Sequence, residues 1–134
     1  MNNNEYKHTK TTVSLINYHI IFCPRYRRKI FNIEGVEERF KELVTEECKR
    51  QNIDILAMEC DTDHAHIFLS AWPQQDIPWT VKQIKGATSW KLREEFEELS
   101  NMPSLWTRSY FVSTAGKVSS ETIRWYVEQQ KKRY

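Results

Sequence analysis

The chain has three glycines and four prolines in 134 residues, and no apolar run approaches the roughly 20 residues of a membrane span. There is therefore no low-complexity linker and no internal repeat to divide it. Its three cysteines, Cys23, Cys48 and Cys60, are odd in number and show no Cys-x-x-Cys spacing. No disulfide framework is expected, and reduced thiols are. The opening "MNNNEYKHTK" has no apolar segment of the secretory kind, which makes the cytoplasm the expected compartment. Strong charge of one sign is also missing. A formal net charge of +2 is too small to indicate a nucleic-acid partner by itself.

What is present is a real apolar complement, 40% of residues with five Trp, six Tyr and six Phe, enough for one core in one domain. Charge is segregated along the chain. "EGVEERFKELVTEE" and "LREEFEEL" are acidic, whereas "RYRRK" (Arg25, Arg27, Arg28, Lys29) and the tail "KKR" are basic. Composition alone reads these as solvated helix faces and a basic loop.

Periodicity orders the elements. "VSLINYHIIFC", residues 13–23, is a β-branched run stopped by Pro24 and predicts a central strand buried on both faces. Val36, Phe40, Leu43, Val44 and Cys48 recur at helical offsets and predict an amphipathic helix over 35–51. Residues 53–72 are extended but too long for one strand. The Asp-rich "DTD" at 61–63 marks a turn, predicting a hairpin of 53–60 and 64–71. Asp76 as cap and Pro78 in the first turn open a second helix, 78–98, with Val81, Ile84, Thr88, Leu92 and Leu99 inward. A strand over 105–113 follows, then a turn at Gly116, a cap at Ser119 or Ser120 and a last helix over 120–132. The order β-α-β-β-α-β is that of a ferredoxin-like α+β sandwich with a helix added at the C-terminus. Residues 1–11 are expected to be a flexible arm.

Chemistry concentrates in "DHAHIFLS". Residues two apart in a strand share a face about 7 Å apart, so His64 and His66 converge while Ala65, Ile67 and Leu69 point to the core. This alternation disfavours core histidines and allows a metal pair. Two further ligands are open. Cys60, across the turn, would make a Cys-His-His zinc site. Gln130, four residues after Tyr126 and on one helix face with it and Ile123, would offer a carbonyl that suits Mg²⁺ or Mn²⁺ better. Tyr126 itself reads either as an aromatic packed on the sheet or as part of the chemistry. Asp63 is a turn former and also a candidate to orient the His64 ring. His19 is structural or a neighbour of the site.

Four blocks, "NYHIIFCPRYRRKIF", "DHAHIFLS", "IKGATSWKLREEF" and "LWTRSYFVSTAGKVSSETIRWYVEQQ", in this order, resemble the single-tyrosine HUH transposases of the insertion sequence 200/605 family. Ala65 stands where that family's motif carries a larger apolar residue. The resemblance implies a transposase that cleaves and rejoins single-stranded transposon ends through a 5′-phosphotyrosine. In it Tyr126 would be the nucleophile, and His64, His66 and Gln130 would hold Mg²⁺ or Mn²⁺. It also implies a homodimer, in which the tyrosine helix of one subunit completes the site of the other, and DNA partners with end hairpins. The loop "STAGKVSS" is compatible with such a swing. For phosphate contact and stacking, Arg25, Tyr26, Arg27, Arg28 and Lys29 are nominated, with Lys82, Lys85 and Lys91 on the second helix. Three rivals stand beside this reading: a domesticated relative acting on host repeats, a nucleic-acid-binding module without chemistry, and the zinc protein.

Overall fold

The computed structural model describes residues 6–114 and 120–130. In chain order the elements are β1 (Lys7–His8), β2 (Val13–Ser14), β3 (Ile16–Phe22), α1 (Val36–Arg50), β4 (Asp54–Asp61), β5 (His64–Ala71), α2 (Ile77–Glu95), β6 (Phe111–Ser113) and α3 (Ser120–Gln129). The four longer-range strands form an antiparallel sheet ordered β4-β5-β3-β6. Counted along the β-α-β-β-α-β unit this is second, third, first, fourth, the ferredoxin-like arrangement predicted above. Among the described residues no helix is long and apolar enough to cross a membrane.

The main core lies on one face of the sheet. Ile20 and Phe22 of β3 and Ala65, Ile67 and Leu69 of β5 meet Val36, Phe40, Leu43, Val44 and Cys48 of α1 and Val81, Ile84 and Leu92 of α2. Phe22 is packed edge-on against Trp106 at 4.8 Å between centroids, and Phe40 closes on both rings at 6.0 and 5.5 Å. Such offsets keep ring edges on ring faces, which adds to the area term. The indole of Trp106 donates to Thr88 Oγ1 at 2.9 Å, so the ring is buried without an orphaned donor. A bulge between Ile55 and Ala57 shifts the register of β4. This extra residue puts both Ile55 and Met58, three apart, against the core.

Helix ends follow their local chemistry. Gly35, at φ +88°, precedes α1 in a conformation that a side chain would strain, with the Phe96 ring 3.4 Å from where a Cβ would sit. Asp76 caps α2 by accepting from the Trp79 amide at 3.1 Å, and Pro78 lies in the first turn. Helix α2 ends at Glu95, where Phe96 turns extended before a single turn at Glu97–Leu99. Arg39 grips Glu95 with two bonds, 2.7 and 3.0 Å, tying α1 to α2.

Three expectations change. Residues 6–14 contain a short hairpin, β1 paired with β2, where a flexible arm was expected over 1–11; residues 1–5 are outside the described set. The first long strand starts at Ile16 rather than Val13, because Val13 and Ser14 pair with His8 and Lys7. The strand expected over 105–113 is regular only at Phe111–Ser113. Before it, Pro24 bridges to Trp106, Arg25 N–H donates to Leu105 and Thr107 N–H to Cys23. The carbonyls of Thr107 and Ser109 then turn to the Lys85 amine, at 2.5 and 3.2 Å, and leave the ladder. The turn expected at Gly116, the cap at Ser119 or Ser120, the helix end at 132 and the "KKR" tail fall outside the described residues or side chains.

The cap offers a direct check on the second helix. Asp76→Ala is expected to lower stability by about 1 kcal/mol, seen as a lower urea midpoint at unchanged slope. An unchanged midpoint would show that the Asp76 bond adds nothing to α2.

Candidate active site

The second face of the sheet is smaller and chemically different. Strand alternation in β5 leaves His64 and His66 half-buried on this face while Ala65, Ile67 and Leu69 are fully buried on the other. Register adds a third imidazole. His66 lies opposite Ile21, and two residues earlier in β3 His19 lies opposite Phe68. The His19 ring is buried, stacks on Phe68 at 4.2 Å, and its Nδ1 meets His66 Nε2 at 3.0 Å. Burial, then the neighbouring His19, lowers the His66 pKa from its ordinary value, which favours the neutral ring.

His64 is oriented from the turn before it. Its Nδ1 lies 3.2 Å from Asp63 Oδ1, and Asp63 Oδ2 accepts from Arg27 Nε at 3.0 Å and pairs with Arg27 Nη2 at 2.9 Å. Burial alone would raise the Asp63 pKa, but the bonds from His64 and Arg27 outweigh it and hold the carboxyl below its usual value. Asp63 is thus both turn former and ring-orienting group, the two roles the sequence left open. Arg27 is correspondingly engaged, and its Nη1 also lies 3.7 Å from Glu128 of α3.

Helix α3 covers the same face. Tyr126 and Val127 are buried against Ile21 and Cys23, with Phe111 and Ile123 beside them. Tyr126 Oη lies 3.3 Å from Ser109 Oγ, and the Ser109 hydroxyl donates to Gln130 Oε1 at 2.8 Å. Gln130 is 1% exposed. Ser109 precedes β6, on the far side of β3 from β5. The structure therefore brings His64, His66 and His19 together and brings Tyr126 and Gln130 together, but seats the second group on Ser109. In this placement the side-chain partner of Gln130 is Ser109. Burial raises the Cys23 thiol under α3 to about 12, which leaves it a protonated packing group.

The zinc alternative fails on register. Cys60 is paired with Ala65, not His64, and packs on the main core with its pKa pushed up to about 12 by burial. Asp61 is the residue opposite His64. Among the described residues no group of three or more His, Cys, Asp or Glu is arranged to hold a metal ion. The donors that fit a divalent ion are two imidazoles on one face, His64 with its Nδ1 held by Asp63 and its Nε2 left for a ligand bond.

Comparison with known proteins bears on this arrangement. The family model described as "Transposase IS200 like" matches residues 12–130, which takes in both histidines, Tyr126 and Gln130. The chain belongs to the IS200-like transposase family. It is 30% identical over 129 residues to the ISDra2 transposase TnpA of Deinococcus radiodurans, covering 94% of this chain and 91% of that one. It is 33% identical over 116 residues to the transposase for insertion sequence element IS200 of Salmonella typhimurium, covering 84% and 75%. A crystal structure of a Deinococcus radiodurans R1 protein described as a transposase superposes with a TM-score of 0.85 at 28% identity, over 92% of this chain and 97% of that one. A REP-associated tyrosine transposase bound to a REP hairpin shares the fold, with a TM-score of 0.59 at 10% identity over 91% and 68%.

In this transposase the nominated DNA contacts separate into two groups. Tyr26, Arg28, Lys29, Lys82 and Lys91 are exposed, with Arg28 over the Tyr26 ring at 5.8 Å and Lys91 3.7 Å from Glu94. Arg25 is half-buried and Arg27 is engaged by Asp63. Lys85 departs most from expectation. It is not on a solvated face: its amine lies over Phe22 and Tyr110 and takes the carbonyls of Thr107 and Ser109. His19, expected as structural or a neighbour of the site, lies against His66, whereas Ser109 had no role in the sequence reading. His19 needs the β3–β5 register to be seen, and Ser109 carries no pattern of its own.

Burial drops the Lys85 pKa to about 8, so in the folded chain this amine releases its proton well before an ordinary lysine does. The unfolded chain then binds the extra proton between about pH 8 and the usual lysine value, and Lys85 makes stability rise with pH across that window. Carbon-13 NMR of reductively methylated protein should show one lysine resonance, absent in Lys85→Arg, with a midpoint near pH 8. A Lys85 resonance titrating near 10.5 would contradict this placement.

Proposed function

We propose that the chain is an insertion-sequence enzyme that cuts and rejoins single-stranded DNA through a covalent bond to Tyr126. The observation that carries this reading is that one sheet face holds the oriented imidazole pair while the helix packed on that face carries Tyr126 and Gln130. Tyr126 Oη would attack the scissile phosphorus as the 3′-oxygen leaves, conserving the phosphodiester energy in the tyrosyl link. A second 3′-hydroxyl then reverses the step on a new partner without a nucleotide cofactor. His64 and His66 would hold Mg²⁺ or Mn²⁺, which when bound supplies Lewis-acid stabilisation of charge on the phosphate oxygens. Gln130 would be the third protein ligand after leaving Ser109.

A homodimer in which the α3 of one copy completes the histidine half of the other is part of the same reading. Single-stranded DNA with end hairpins is the substrate this family reading calls for, with Tyr26, Arg28 and Lys29 beside the site and Lys82 and Lys91 on α2 as the exposed contacts. The REP-associated enzyme shares the fold alone, whereas the sequence relatives are insertion-sequence transposases. That contrast favours an element's enzyme over one acting on host repeat hairpins.

The test is a denaturing gel of protein mixed with Mn²⁺ and labelled single-stranded DNA carrying the element's end. A denaturation-resistant adduct is expected from the native chain, none from Tyr126→Phe, and only background from His64→Ala. Full adduct from Tyr126→Phe would end the mechanism.

A further inference from the structure

We infer that Arg27 is a positioning residue for His64, acting through Asp63, rather than a contact for DNA. The metal part of this inference rests on the reading above; the ring orientation does not. A neutral imidazole that is to donate its Nε2 lone pair must carry its proton on Nδ1, and that tautomer is set by whatever accepts from Nδ1. Asp63 Oδ1 sits at 3.2 Å to do so. A carboxylate at the tip of a two-residue turn can rotate about its own axis. The Arg27 fork removes that freedom, with Nε at 3.0 Å and Nη2 at 2.9 Å on the other oxygen. The side chains are 20% and 13% exposed, so the pair is shielded and each charge depends on the other.

The backbone that delivers Arg27 is unusual. Tyr26 and Arg27 have φ of 59° and 52°, two successive left-handed residues that are not glycine. Side chains disfavour this region, because Cβ crowds the following carbonyl oxygen. The turn is held on both sides by the Pro24–Trp106 bridge, by Arg25 N–H to Leu105 and by Arg27 N–H to Pro24. A surface arginine meant only to meet phosphate needs no such conformation, since its flexible stem reaches solvent from any backbone. Here the strained backbone delivers a fork that meets a buried carboxylate with two nitrogens.

The same guanidinium faces α3. Arg27, Asp63 and His64 line a cleft of about 380 Å³ with Ile123, Val127 and Glu128. Among the described residues the buried Arg27 Nη1 has no hydrogen-bond partner, and it lies 3.7 Å from Glu128 Oε2. Arg27 thus stands between the turn that orients the histidine and the helix that bears Tyr126.

The experiment uses full-length, metal-free protein with ¹⁵N-labelled histidine, with long-range ¹H–¹⁵N spectra at pH 8, above the ordinary histidine range. The native chain is expected to show His64 protonated on Nδ1. Arg27→Met should shift it toward the Nε2-protonated form and weaken Mn²⁺ binding, read by electron paramagnetic resonance, by about 10-fold or more. Arg27→Lys keeps the charge without the fork and should shift the tautomer part of the way. If Arg27→Met does not fold, Arg27→Lys carries the test alone. An unchanged His64 tautomer in the folded variant overturns the inference. If the native chain fails to bind Mn²⁺ while the tautomer still follows Arg27, the metal reading falls and the positioning role stands.

Discussion

A β-strand has two faces, and in β5 they do opposite things. Ala65, Ile67 and Leu69 are fully buried against α1 and α2, so the strand cannot slip by one residue without exposing them. The same constraint pins His64 and His66 on the other face. Hydrophobic packing on one side thereby fixes the position of two polar groups on the other. Because register is shared, it also decides that His19 meets His66 and that Cys60, opposite Ala65, goes to the core.

A second long-range contact shapes the tyrosine side. Lys85, buried under the segment before β6, draws the carbonyls of Thr107 and Ser109 away from the strand ladder. A buried amine needs acceptors, and these two carbonyls are what it finds. The regular strand is shortened to three residues as a result, and Ser109 projects its hydroxyl at Tyr126 and Gln130. Packing of α2 is in this way connected to the seating of α3, although the two helices lie on opposite faces of the sheet.

Most of the architecture was legible because it is written in local periodicity. The α1 stripe, the Asp76 cap, the turn at 61–63 and the shared face of the two histidines each follow from neighbours in sequence. What was not legible depends on partners far away. Lys85 and Arg27 look like any solvated cation until the residues they reach, 22 and 36 positions on, are placed beside them. His19 has the right parity but no meaning without register. Gln130 shares a helix face with Tyr126 by spacing, yet spacing does not say what that face meets. Here it meets Ser109.

In the proposed mechanism Tyr126, and no other group on this face, forms the bond to DNA. Digestion of the trapped protein–DNA adduct with trypsin, followed by mass spectrometry, tests it most directly, because cleavage after Arg124 and Lys131 isolates a peptide in which Tyr126 is the sole tyrosine. The account predicts a nucleotide phosphate on that peptide. A nucleotide carried instead by the peptide containing Tyr110 or Tyr26 would contradict it.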